Sequence, residues 1–215
     1  MSPDLDELES NAKAALEEAK QLKKAGSHFE AGHAFERAAM LRGQLRMSGR
    51  GKWSNVAKMH ERAARVYAKA TSVSGNTSKI SPADTKQLVG SSYAGAAWAH
   101  RMGGDYKKAA LLGVRAAEAY FEEARVPIDY LEHKRRTGDK RDYKTKGGTT
   151  PDKKHVTLAE QAQDRLMAAR ADCQRAGINW PPSRLSPKLT ELDKFTFGVE
   201  NKGRGGSSKR RKKRK

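Results

Sequence analysis

Small and apolar residues return along this chain at intervals of three and four, the spacing of one face of a helix. The first run is Leu5, Leu8, Ala12, Ala15, Leu16, Ala19 and Leu22, and it ends at Gly26. No stretch alternates apolar and polar positions, so the pattern predicts an all-α chain. Pro3 stands at the first position of the first helix, with Asp4, Asp6 and Glu7 favouring its amino end. A second helix is predicted over about 28–47, carrying Ala31, Ala34, Phe35, Ala38, Leu41 and Leu45 inward. A third follows the turn Ser48-Gly49-Arg50-Gly51, with Val56, Met59, Ala63, Val66, Tyr67 and Ala70 inward.

A longer period underlies these runs. A glycine is followed five residues later by a small residue or valine, and seven beyond that by an alanine: Gly26, Ala31, Ala38; Gly51, Val56, Ala63; Gly104, Ala109, Ala116. Such glycines permit tight turns between antiparallel helices, and the small residues allow backbones to approach closely. Trp53, Trp98 and Tyr106 read as aromatic wedges of the core. The expected architecture is a stack of antiparallel helical hairpins, which serves more often as a binding scaffold than as an enzyme.

Breaks in the pattern divide the chain. Residues 71–80 form a polar loop, Ser81-Pro82 opens a helix through Leu88, Tyr93, Ala97 and Trp98 to Met102, and a fifth runs from Tyr106 to Arg125. Val126-Pro127 ends the repeat region, placing its limits at 1–126. Residues 127–180 continue the helical layer: a short helix through Tyr130 and Leu131, then a basic loop over 134–154, then a helix from Thr150-Pro151 to Gly177 with Val156, Leu158, Ala162, Leu166, Ala169 and Cys173 on its stripe. Trp180-Pro181-Pro182 ends regular helix. Residues 181–215 are expected to be extended, with one turn after Ser186-Pro187 through Leu189 and Leu192, and with a disordered basic tail from Asn201.

Composition adds a strong electrostatic signature. Only 36% of residues are apolar and many are alanine, so the core must be built from closely packed small-residue helices. The formal net charge is +19, and it is concentrated in the second half. Such a field favours an anionic partner, whether nucleic acid, an acidic protein surface or an anionic membrane. The loop supplies Lys134, Arg135, Arg136, Lys140, Arg141, Lys144, Lys146, Lys153 and Lys154; the tail supplies Lys202, Arg204, Lys209, Arg210, Arg211, Lys212, Lys213, Arg214 and Lys215. Both are candidate anion or nucleic-acid contacts, and the tail also reads as a nuclear import signal. With Tyr143 the sole aromatic in the loop, charge rather than base stacking is its expected role.

The stretch Ala31-Gly32-His33-Ala34-Phe35-Glu36-Arg37-Ala38-Ala39-Met40-Leu41-Arg42-Gly43-Gln44-Leu45, preceded by Lys24-Ala25-Gly26, resembles the early helical repeat of the soluble NSF attachment proteins. The later copies, through about Glu123, resemble the same superfamily more loosely. The resemblance implies a tetratricopeptide-like right-handed solenoid and a non-enzymatic adaptor that binds assembled SNARE bundles and recruits an NSF-like ATPase in vesicle trafficking. A basic helical face would meet the acidic bundle, for which Arg42, Arg46, Arg50, Lys52, Arg62 and Arg65 are the candidates. The basic end of this chain stands where the family carries an acidic one that engages the ATPase, so that contact is not implied. The rival expectation is a nuclear or ribonucleoprotein-associated helical scaffold gripping nucleic acid through the loop and tail. The corresponding locations are the cytoplasm, peripheral to membranes, or the nucleus.

Catalytic chemistry finds little footing. His28, His33, His60, His100, His133 and His155 fall into no metal-ligand spacing. Gly51-Lys52 is not a phosphate loop, because Trp53 takes the hydroxyl position and Arg46 that of the leading glycine. Cys173, the lone cysteine, leaves no internal disulfide and reads as a buried structural thiol. No cofactor, metal or small-molecule substrate is expected.

Overall fold

The computed structural model describes residues 4–73, 82–138 and 151–204, and every regular element among them is a helix. In chain order these are α1 (Leu5–Lys24), α2 (His28–Met47), α3 (Trp53–Val73), α4 (Pro82–Met102), α5 (Tyr106–Ala124), α6 (Ile128–Thr137), α7 (Lys153–Ala176) and α8 (Pro187–Arg204). The first five lie close to where the apolar spacing predicts them, but α3 runs on to Val73, into the segment 71–80 expected as a polar loop, of which 74–80 lie outside the described residues. Each packs on its sequence neighbour, α1 on α2, α2 on α3, α3 on α4 and α4 on α5. The chain then skips α6, and α5 packs on α7.

Glycine sets the turns because their backbones need a left-handed residue. Gly26, Gly49, Gly51 and Gly104 all have φ near +80° to +90°, where a β-carbon is costly. The interhelical spacing is set by residues with little or no side chain. Ala19, Ala31, Ala38, Ala39 and Ala63 are fully buried around Tyr67 and Phe35. A second core joins α5, α6, α7 and α8 around Tyr130, Leu158, Leu166, Leu189 and Leu192.

Several expectations need correction. α1 starts two residues later than Pro3 would place it, because the Asp4 carboxylate caps the amide of Asp6 at 2.9 Å. Trp98 is not a core wedge: it is 43% exposed and meets Trp53 edge to face at 5.0 Å. Ala70 is half-buried rather than inward. The basic loop is shorter than 134–154, since Lys134, Arg135 and Arg136 belong to α6 while Lys153 and Lys154 open α7, behind the Asp152 cap.

The largest correction is α8, an 18-residue helix where an extended segment with a single turn is expected. Leu189, Leu192 and Phe195 at three-residue spacing bury into the second core. Ser186 starts the helix, its carbonyl accepting from the Thr190 amide at 2.8 Å. Trp180 ties it down from outside: its Nε1–H donates to Asp193 at 3.0 Å, and its ring meets Phe197 at 5.8 Å. The helix carries the backbone of Lys202 and Arg204 in its final turn, so the predicted onset of disorder at Asn201 comes too early.

Candidate anion-binding face

Residues seven and four apart on α1, Glu9, Lys13, Lys20 and Lys24, lie on one face of that helix. On α3, Asn55, Arg62, Val66 and Lys69 do the same, and Phe35 and Arg42 of α2 are seven apart. Both outer helices pack on α2, so these three faces line one side of the layer. Two hollows lie along it. The larger, about 640 Å³, is walled by Lys20, Lys23 and Lys24 of α1 and by Arg62, Arg65 and Lys69 of α3. Phe35 and Val66 form its apolar floor, and no carboxylate among the described residues lines it.

On their own helices Lys20 pairs with Glu17 at 2.6 Å, and Arg65 with Glu61 at 3.3 Å. Such exposed pairs are weak, worth about 0.2–1 kcal/mol each, and yield readily to a stronger anion. The apolar floor lowers the local dielectric and concentrates the field of the walls. The groove therefore matches a ligand that presents acidic groups on either side of an apolar ridge.

The six residues predicted to make one basic face do not share one hollow. Arg62 and Arg65 wall the groove, whereas Arg42, Arg50 and Lys52 line a smaller hollow of about 200 Å³ at the other end of the same side. Arg46 and Lys52 face a third depression, beside Trp53, Ala99 and His100. Lys20, Lys23, Lys24 and Lys69 were missed by that reading. Their signal was present as a 20/24 and 62/69 helical spacing, but nothing in the sequence showed that α1 and α3 flank the same groove.

The loop and tail residues contribute separately. Lys134 pairs with Glu160 of α7, Arg135 stacks on Phe195 at 5.6 Å, and Arg136 lines a depression between α6 and α8. Lys153 and Lys154 are exposed in the first turn of α7. Lys140, Arg141, Lys144, Lys146 and Lys209, Arg210, Arg211, Lys212, Lys213, Arg214 and Lys215 lie outside the described residues.

Three polar clusters join helices that are distant in sequence. Glu36 of α2 accepts from Ser92 Oγ of α4 at 2.6 Å and lies 2.8 Å from His60 Nδ1 of α3. The carboxylate sits between the serine and the imidazole, an order that ties three helices together and differs from the serine–histidine–acid order of a catalytic triad. Burial, aided by Glu36, pushes the Tyr67 hydroxyl well above its ordinary pKa. His100 bridges Glu61 and Asp105 at 3.4 and 3.6 Å, and its hydrogen bond holds the Glu61 carboxyl below the usual range. Arg101 of α4 makes a two-pronged pair with the fully buried Asp172 of α7, at 2.8 and 2.6 Å.

Among the described residues no group of three or more His, Cys, Asp or Glu side chains could hold a metal ion. Cys173 is buried, and burial pushes its thiol pKa up, away from the reactive thiolate. No described helix is long and apolar enough to cross a membrane. The chain matches no known protein-family model, no curated protein and no solved structure.

Proposed function

We propose that this chain is a non-enzymatic helical-repeat adaptor, its hairpins stacked in a tetratricopeptide-like solenoid, that holds an acidic helical protein partner. The observation that carries this reading is the groove between α1 and α3, which among the described residues has six cations on its walls, an apolar floor and no lining carboxylate. An amphipathic acidic helix satisfies both features: apolar side chains settle on Phe35 and Val66 while carboxylates meet the lysines and arginines. A bundle of acidic helices of the SNARE type fits the same chemistry and agrees with the attachment-protein resemblance of residues 24–45. On this reading the chain works in the cytoplasm, at membranes it does not enter.

The test is calorimetric titration of the full chain with an assembled acidic SNARE bundle. Tight binding is expected, and the double substitution K24E with R62E should weaken it at least tenfold, since each reversed charge replaces an attraction by a repulsion. Equal affinity for the wild type and the double variant rejects the groove. Absence of binding near physiological salt rejects the partner.

The basic run 209–215 favours a second reading, in which a nuclear scaffold grips nucleic acid through its tail. Here the logarithm of affinity for single-stranded RNA falls linearly with the logarithm of salt concentration, and removing residues 202–215 flattens that slope. A slope unchanged by the deletion counts against it. The K24E/R62E variant separates the readings, because groove binding and tail binding depend on different residues.

A further inference from the structure

The smaller hollow on the same side of the layer has a different character from the open groove. It encloses about 200 Å³ between the first half of α1, the last turns of α2 and the start of α3. Its cations are Lys13, Arg42, Arg50 and Lys52, and its one carboxylate is Glu9. Lys13 is matched by Glu9 at 2.9 Å, and Arg50 by Asp6 at 2.6 Å. Arg42 and Lys52 have no ionic partner among the described residues, which leaves the hollow with two uncompensated positive charges.

Arg42 adds an independent sign. Its Nε is buried, and no acceptor among the described residues meets its hydrogen. Leaving it buried without an acceptor is costly, and the remaining N–H groups of the guanidinium, which lines the hollow, are strong donors to an oxyanion. Asn55 contributes an amide to the same lining. The hollow also lies beside the amino end of α3, whose partial positive charge adds to the field. Gly51, at φ +85°, turns the chain tightly there and places Lys52 at the mouth.

We propose that this hollow binds a phosphate-monoester dianion, with Arg42 and Lys52 supplying the charge that neutralises it and Asn55 a neutral hydrogen bond. A dianion matches the two uncompensated cations, and a tetrahedral group with several acceptor oxygens suits donors drawn from α2, from the turn that follows it and from α3. The volume admits the phosphate and a few atoms of whatever carries it. The site does not depend on the acidic helical partner, because it uses none of the residues that wall the groove.

The test titrates the full chain, isotopically labelled for amide chemical-shift mapping, with inorganic phosphate, with O-phosphoserine and with sulfate. Saturable one-to-one binding is expected, with shifts centred on Arg42, Lys52 and Asn55. Affinity for O-phosphoserine should rise as pH is raised from about 5 to 7, through its second pKa of about 6, while sulfate should show no such rise. Arg42→Gln and Lys52→Gln should each weaken phosphate binding at least tenfold, and K24E/R62E should leave it unchanged. Tighter binding of O-phosphoserine assigns the site to a phosphorylated side chain; tighter binding of inorganic phosphate assigns it to the free anion.

Unsaturable shifts spread over many lysines, or equal binding by the wild type and both variants, overturn the proposal. Should Arg42→Gln lose its fold by circular dichroism, Lys52→Gln decides alone, since Lys52 is exposed. Loss of phosphate binding in K24E/R62E would instead merge this hollow with the open groove and refute it as a separate site.

Discussion

At the scale of single residues, the sharpest constraint is the contact between Gly32 and Tyr67. A β-carbon on Gly32 would lie 2.3 Å from the Tyr67 ring, which is itself fully buried and has no room to retreat. Gly32→Ala should therefore destabilise the fold by about 1–3 kcal/mol, as overpacked cores do. Gly43, on the same helix, would meet nothing within 4 Å, so Gly43→Ala should stabilise by about 0.5–1 kcal/mol through helix propensity. Urea denaturation of the two variants checks both signs. Glu61 gives a pH prediction: the His100 hydrogen bond depresses its folded pKa, so its contribution is present above its ordinary 4.5 and is lost as pH falls through the folded value. The stability gap between wild type and Glu61→Gln should be widest near neutrality and close below about pH 4.5. Asp193 acts in the opposite sense, since burial raises its pKa and favours its protonated form on folding. The glycine turns were legible in the sequence because positive φ is a local demand. The Gly32 contact was not, because Tyr67 lies 35 positions away.

At the scale of elements, α8 and the α4–α7 pair show how long-range contacts override local signals. Leu189, Leu192 and Phe195 mark the buried side of α8, and Gly198 together with the prolines before the helix reads locally against a long helix. The second core supplies what local propensity lacks. Leu192→Ala should cost about 2–5 kcal/mol, measurable as a shift in the denaturation midpoint without loss of the slope. Arg101 and Asp172 hold α4 to α7, and Asp172→Asn should cost about 2–4 kcal/mol by stranding the guanidinium. The double variant R101M/D172L should recover most of that loss, since a well-packed apolar pair is an adequate substitute for a buried ion pair. Recovery failing would mean that the pair fixes a geometry which apolar packing cannot reproduce.

At the scale of the molecule, a net charge of +19 on 215 residues means that the folded chain repels itself. Thermal stability should rise as salt increases from about 10 to 150 mM, because the screening length shortens from about 30 to 8 Å. A melting temperature that falls with salt would show that attractive pairs such as Arg101–Asp172 outweigh that repulsion. What the sequence determined by itself is the all-helical character, the places of the first five helices and the glycine turns, because a period of 3.6 and a need for positive φ are carried by neighbouring residues. It also determined that the chain is strongly basic. The tertiary structure decided which basic residues act together: it set Lys20, Lys23 and Lys24 opposite Arg62, Arg65 and Lys69, sent Arg42 and Lys52 to a separate hollow, and gave α8 a core to bury against. These outcomes depend on which helix faces stack across α2 and α7, and stacking is a relation between segments that no local pattern of residues records.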